Sequence, residues 1–166
     1  MDATAAAGEW PLDLAGAVVE IGIFSRSGGP TLAGAVELVS PASKDRPAHR
    51  DALVSKCGTY LRAGIGLVLV DVVTERPADL HRELLARLGA ADPGAGPPLF
   101  AAAYRRVERD GAGALDIWRE PVAVGRLLPT LPLWLRGGFC LPVELEATYT
   151  RTCVEQRVLP AAWRQR

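Results

Sequence analysis

The sequence contains no asparagine and very little lysine. Of its 19 basic residues only two, Lys44 and Lys56, are lysines, and the other 17 are arginines. Cysteine is also sparse, since Cys57, Cys140 and Cys153 are the only three in 166 residues. No two of them have the spacing of metal ligands, and an odd, widely spaced set excludes a disulfide framework. We therefore expect a reduced, cytoplasmic protein.

Net charge and long apolar runs are lacking as well. The 19 basic and 19 acidic residues cancel, which excludes a strongly basic protein that binds nucleic acid through its charge alone. No stretch reaches the roughly 18 uninterrupted apolar residues of a membrane span, so no membrane partner is expected. A hydrophobic fraction of 49% instead fits a globular chain with one core.

Local patterns predict a flexible lead-in over residues 1–16 and a single domain over residues 17–166. Alternating apolar residues and turn-forming segments predict strands at 18–24, 31–40, 67–73, 99–108 and 115–124, and helices at 47–62, 78–88 and about 142–158. The proline-containing segment 127–138 is predicted to be extended and superficial. This order indicates an α/β (α+β) fold with a mixed sheet, an antiparallel hairpin, a crossover helix and flanking helices.

Three carboxylates stand in the most apolar predicted strands, where acidic residues are disfavoured: Glu20, Glu37 and Asp71. If these strands are neighbours, the three side chains can converge at one edge of the sheet. Converging carboxylates repel one another unless a proton or a cation intervenes. Oxygen ligands of this kind are those that Mg²⁺ prefers, and the sequence thus predicts a magnesium site.

The predicted crossover helix carries Lys56 beside its buried stripe. A lysine there can reach the sheet edge and place a positive charge near a developing phosphorane. Tyr60 lies four residues further on and shares the same helix face.

A simpler interpretation stays open for each of these residues. Asp71 can cap a turn or pair with one of the many arginines, and Lys56 can extend along a solvated face. His49 and His81 have no partner at ligand spacing and are predicted to be surface residues. Trp134 is predicted to fold back onto the sheet.

The segment Glu37-Leu38-Val39-Ser40-Pro41-Ala42-Ser43-Lys44 resembles an E-L-L-S-P-x-N-K box. That box belongs to a bacterial family catalogued as a domain of unknown function. The resemblance continues through Lys56, Tyr60 and the strand that ends near Asp71, and it covers roughly residues 17–158. In this alignment Lys44 matches the lysine of the box and Lys56 matches a helix lysine.

The same pattern looks like that of the Uma-type endonucleases of the PD-(D/E)XK, restriction-endonuclease-like superfamily. This resemblance implies a restriction-endonuclease-like core, Mg²⁺ as cofactor, and DNA or RNA as partner. It implies Glu37, Lys56 and Asp71 as catalytic residues. The implied metal carboxylates are Glu37 and Asp71, to which we add Glu20. Lys44 and Tyr60 are secondary candidates.

Three positions depart from the pattern. Ala33 stands where the family has an aspartate, Val39 where it has a lysine, and Ser43 where the box has an asparagine. We expect Glu20 to replace the missing acid, and Lys56 or Lys44 to replace the missing base.

Two hypotheses from different classes follow. The chain is either a Mg²⁺-dependent phosphodiesterase or endonuclease, or a catalytically inactive nuclease-fold module that binds or scaffolds. Self-association into a homo-oligomer is left open by the sequence.

Overall fold

A computed structural model describes residues 19–26, 29–91, 94 and 96–158. The predicted lead-in over residues 1–16 lies outside these described residues. The elements in chain order are β1 (Val19–Ser25), β2 (Thr31–Leu38), α1 (Pro41–Asp45), α2 (Pro47–Arg62), β3 (Gly66–Asp71), α3 (Leu80–Leu88), β4 (Phe100–Arg109), β5 (Ala112–Pro121), β6 (Thr130–Trp134), β7 (Cys140–Glu144) and α4 (Leu145–Glu155).

The main sheet has five strands in the order β1-β2-β3-β4-β5. Within this sheet β2 and β3 run parallel, and the other neighbouring strands are antiparallel. The α1–α2 segment connects the two parallel strands. A long connection is needed because the carboxyl end of β2 and the amino end of β3 lie at opposite ends of the strands. The predicted α+β class, the mixed sheet, the antiparallel hairpin and the crossover helix are thereby confirmed.

Strand β3 is buried along its whole length, because each face of the sheet is covered by a different layer. On one face, Leu67 and Leu69 pack with residues of α2 and α3. On the other face, Val68 and Val70 pack with Leu131 and other residues of the β6–β7 hairpin.

This hairpin corrects the prediction for segment 127–138. Instead of lying on the surface, Leu131 and Leu133 of β6 are only 2% and 1% exposed. Pro132 faces Pro142 across the hairpin, and because proline has no N–H, the ladder's hydrogen bonds come from the residues on either side. Alternation of proline with leucine is therefore compatible with a strand.

Three further predictions change in the structure. The last helix begins at Leu145 rather than near residue 142, because residues 140–144 form β7. The short helix α1 begins at Pro41, where the sequence predicted only the end of a strand; Ser40 caps it by accepting a hydrogen bond from the Ser43 N–H. His81 is buried rather than superficial, and its Nδ1 lies 2.7 Å from Tyr104 Oη.

The predictions for His49 and Trp134 are confirmed. His49 lies on the surface at the first turn of α2. Trp134 folds back onto the sheet, where its ring stacks on that of Trp118 with centroids 6.4 Å apart.

Two glycines allow the hairpin to approach the sheet. A Cβ on Gly66 would lie 1.8 Å from the Trp134 carbonyl oxygen, and one on Gly34 would lie 2.6 Å from a Leu135 methyl carbon. The backbone of Trp134 thus occupies the space that a side chain would fill at Gly66, and leucine side chains occupy it at Gly34.

We expect Gly66→Ala to lower the free energy of unfolding by about 1–3 kcal/mol, because the added methyl overpacks the hairpin contact. Chemical denaturation measures this change. Gly113→Ala on β5 is the matched control, since its nearest neighbour atom would be 3.7 Å away on the flexible Arg106 side chain. Equal losses for the two variants would contradict the role assigned to Gly66.

Candidate functional site

Two acidic residues face one another at the edge of the sheet. Glu20 on β1 and Glu37 on β2 are directly opposed in the antiparallel ladder, so their side chains project from the same face. This register brings together two of the three carboxylates that the sequence predicted to converge.

A lysine from the crossover helix lies between them. Lys56 Nζ is 2.6 Å from Glu20 Oε2 and 2.7 Å from Glu37 Oε1. The neighbouring Cys57 is buried against the sheet, and this packing directs α2 so that Lys56 reaches the carboxylates. The prediction that Lys56 extends toward the sheet edge is therefore met.

Tyr60 completes the cluster from the next turn of α2. Its hydroxyl donates to Glu20 Oε1 at 2.5 Å, so the Glu20 carboxylate receives one hydrogen bond on each oxygen. Burial, together with this bond to Glu20, raises the pKa of Tyr60 to about 12 and keeps the hydroxyl protonated as a donor. We call Glu20, Glu37, Lys56 and Tyr60 the carboxylate–lysine cluster.

The two carboxylates of the cluster lie in different environments. The Glu37 side chain is 1% exposed, whereas those of Glu20 and Lys56 are 34% and 29% exposed. Burial raises the pKa of Glu37 above its ordinary value, against the lowering effect of Lys56. The hydrogen bonds from Lys56 and Tyr60 lower the pKa of Glu20. The cluster thus has a buried acid and a solvent-facing one.

Glu37 is also unusual in its hydrogen bonding. Both of its side-chain oxygens are buried. Oε1 pairs with Lys56 Nζ at 2.7 Å, whereas Oε2 has no hydrogen-bond partner among the described residues. Buried carboxylate oxygens normally have partners, so Oε2 has unused capacity for a cation or a donor.

The third predicted carboxylate has a different partner. Asp71, at the end of β3, accepts a hydrogen bond from Lys44 Nζ at 2.9 Å on one oxygen and from the Val73 N–H on the other. The Lys44 and Asp71 side chains are 1% and 0% exposed. Burial raises the pKa of Asp71, and Lys44 opposes that rise. The structure therefore places Asp71 and Lys44 in a separate buried ion pair.

The donor chemistry of the carboxylate–lysine cluster fits Mg²⁺. This ion keeps several waters and is often bound by one or two carboxylates, which Glu20 and Glu37 supply. For both to bind one ion, the Lys56 ammonium must move from between them, and the partial exposure of its side chain leaves an outward path. Within the described ranges, no group of three or more His, Cys, Asp or Glu side chains is arranged to hold a metal.

Some residues expected from the family pattern are replaced by core residues. Ala33 and Val39 stand at the positions where the pattern has an aspartate and a lysine, and both are buried. Val39 packs in the core between the sheet and the helices α2 and α3. The pairing of Lys44 with Asp71 was not predicted; the signal available for it was that two lysines accompany strand carboxylates in a chain that otherwise uses arginine.

Comparisons with known proteins give no assignment. No family model, no curated protein and no solved structure matches the chain. In the part of the chain that the structure describes, no helix has the length and apolar character needed to cross a membrane.

The two carboxylates of the cluster should respond oppositely to pH. The raised pKa of Glu37 contributes stability that is full below the ordinary value of 4.5 and is lost as pH rises through the folded-state pKa. The lowered pKa of Glu20 contributes stability that is present above 4.5 and is lost as pH falls through its folded-state pKa.

As pH rises above 4.5, we therefore expect Glu37→Gln to become more stable relative to the wild type. As pH rises toward 4.5, we expect Glu20→Gln to become less stable relative to the wild type. Denaturant unfolding from pH 3 to pH 8 measures both differences. Parallel pH dependences for the two variants would contradict the assigned environments.

Proposed function

We propose that the chain is a Mg²⁺-dependent phosphodiesterase of the nuclease type that acts on DNA or RNA. The observation that carries the proposal is the buried Glu37 carboxylate, which directly faces Glu20 and whose Oε2 has no hydrogen-bond partner among the described residues. Two opposed carboxylates, one of them with an unpartnered oxygen, have the chemistry of a divalent-cation site.

Each member of the cluster has a role in this proposal. Glu37 and Glu20 would hold the ion from the inner and the solvent-facing side. Tyr60 orients Glu20 by donating to its Oε1. Lys56, which is kept charged by the two carboxylates beside it, would turn outward and stabilise negative charge on the phosphate.

Bound Mg²⁺ supplies polarisation of the phosphodiester and activation of a water molecule. The same residues exclude water from one side of the site, because Glu37 lies beneath α2 while Lys56 and Glu20 face the solvent. Asp71 is not assigned a ligand role, since it forms a separate, fully buried ion pair with Lys44.

The topology supports a restriction-endonuclease-like core. An antiparallel hairpin (β1–β2), a crossover helix (α2) and a parallel strand (β3) follow one another in the order that the family resemblance implies. In this arrangement Glu37 and Lys56 lie on the strand and the helix on which the resemblance expects them.

A second candidate function has its own support. A catalytically inactive nuclease-fold binding module is favoured by the buried Ala33 at the position of the family's aspartate. It is also favoured by Lys56, whose ammonium already neutralises the carboxylate pair. In this alternative the lysine substitutes permanently for the metal ion.

Cleavage of single- and double-stranded DNA and of RNA, measured with Mg²⁺ or Mn²⁺ and with EDTA, distinguishes the two candidates. We expect metal-dependent cleavage that falls by about 100-fold or more in Glu37→Gln and in Lys56→Ala. The first variant loses a charged ligand of the metal ion, and the second loses the positive charge beside the reacting phosphate.

Glu108→Gln, which removes an exposed carboxylate on β4, is the matched control and should retain full activity. Unfolding midpoints of all variants establish that they are folded. Cleavage that is unchanged by both cluster variants would overturn the assignment of the active site to this cluster. No cleavage with any substrate would overturn the enzymatic proposal and leave the binding module.

A further inference from the structure

A second feature lies beyond the carboxyl ends of the parallel strands. A surface cavity of about 360 Å³ lies where β2 leads into α1 and β3 leads toward α3. Clefts at the carboxyl ends of parallel strands are a recurrent location of ligand sites, and this volume falls within the usual range for small ligands.

Three cations line this cavity: Lys44, Arg50 and Arg76. Lys44 is committed to the buried Asp71, and its carbonyl oxygen accepts a hydrogen bond from Arg50 Nη1 at 3.3 Å. This bond fixes Arg50 against helix α1, which carries Lys44. The two arginines are therefore the groups that a ligand would contact.

Both arginines are paired with carboxylates that are easily displaced. Arg50 Nε lies 3.3 Å from Glu83 Oε1, and Arg76 Nη2 lies 3.3 Å from Asp45 Oδ1. The two carboxylate side chains are 40% and 44% exposed, and ion pairs at such positions contribute little stability.

Arg50 also has unused hydrogen-bonding capacity. Its Nε atom is buried and donates no hydrogen bond within the described residues. An anion entering the cavity could accept from this atom while Glu83 turns toward solvent. Arginine is suited to such a role because its planar guanidinium matches the oxygens of phosphate.

From these observations we propose that the cavity binds a terminal phosphate group, that is, a phosphomonoester or a pyrophosphate, through Arg50 and Arg76. A phosphodiester carries a single charge and gains little by replacing a carboxylate. A terminal phosphate carries about −1.5 to −2 at pH 7, so it competes favourably with each carboxylate for the arginines. This site is independent of the carboxylate–lysine cluster.

Chemical-shift titration of the ¹⁵N-labelled full chain tests the proposal. The probes are inorganic phosphate, pyrophosphate, and one oligonucleotide prepared with and without a 5′-phosphate. We expect phosphate and pyrophosphate to perturb amides around residues 44–50 and 76–83. The 5′-phosphorylated oligonucleotide should bind at least about tenfold more tightly than its unphosphorylated form.

Arg76→Gln and Arg50→Gln should each weaken binding by about tenfold, as expected for loss of a charged hydrogen bond. Arg76 is half-exposed, so its variant is expected to fold normally even if Arg50→Gln does not. Arg151→Gln on α4, whose arginine forms an exposed pair with Glu155, is the matched control for charge.

Tighter binding of the phosphorylated oligonucleotide than of pyrophosphate would assign the site to a nucleic-acid end, and the reverse order would assign it to a small phosphorylated compound. Either result supports a terminal-phosphate site. Equal binding of both oligonucleotide forms, an equal effect of Arg151→Gln, or no perturbation by phosphate would overturn it.

Discussion

The burial of Glu37 beneath a helix is the constraint on which the candidate site depends. A carboxylate that is removed from water needs a nearby cation or a proton, and its desolvation otherwise opposes folding. Lys56 supplies the cation, and it can do so because α2 crosses the face of the sheet from which Glu37 and Glu20 project. The ion pair therefore depends on both the helix packing and the sheet register. The Lys56 ammonium also occupies the place that a metal ion would take.

A second buried carboxylate in the fold is also neutralised by a lysine. Asp71 is buried at the end of β3, and Lys44 neutralises it from α1. Together these pairs use both lysines of the chain, while most other ion pairs use arginine and are more exposed. A lysine ammonium is a compact charge on a flexible stem, so it can reach a carboxylate through a packed layer with little disruption. The rarity of lysine elsewhere is thus matched by a shared structural role for the two that are present.

Much of the core could be predicted because its local signals agree with the tertiary structure. The alternation around Glu20 and Glu37 and the apolar run before Asp71 predicted three strands, which the structure places side by side. Residues 47–62 were predicted as a helix with the observed bounds. The β6–β7 hairpin was missed because each of its strands contains a proline, Pro132 in β6 and Pro142 in β7, and proline within a segment argues against a strand. His81 was missed because its burial depends on Tyr104, a contact between residues 23 positions apart. The partner of Asp71 was missed for a similar reason, since α1 gives almost no helical signal in five residues.

The central claim is that Glu20 and Glu37 form a divalent-cation site. Its most direct test is a titration of the ¹⁵N-labelled protein with Mn²⁺, whose unpaired electrons broaden the signals of nearby amides. The account predicts selective broadening centred on residues 20 and 37, reversal by excess Mg²⁺, and loss of the effect in Glu37→Gln. Broadening that is centred on other acidic residues, or that persists unchanged in Glu37→Gln, would contradict it.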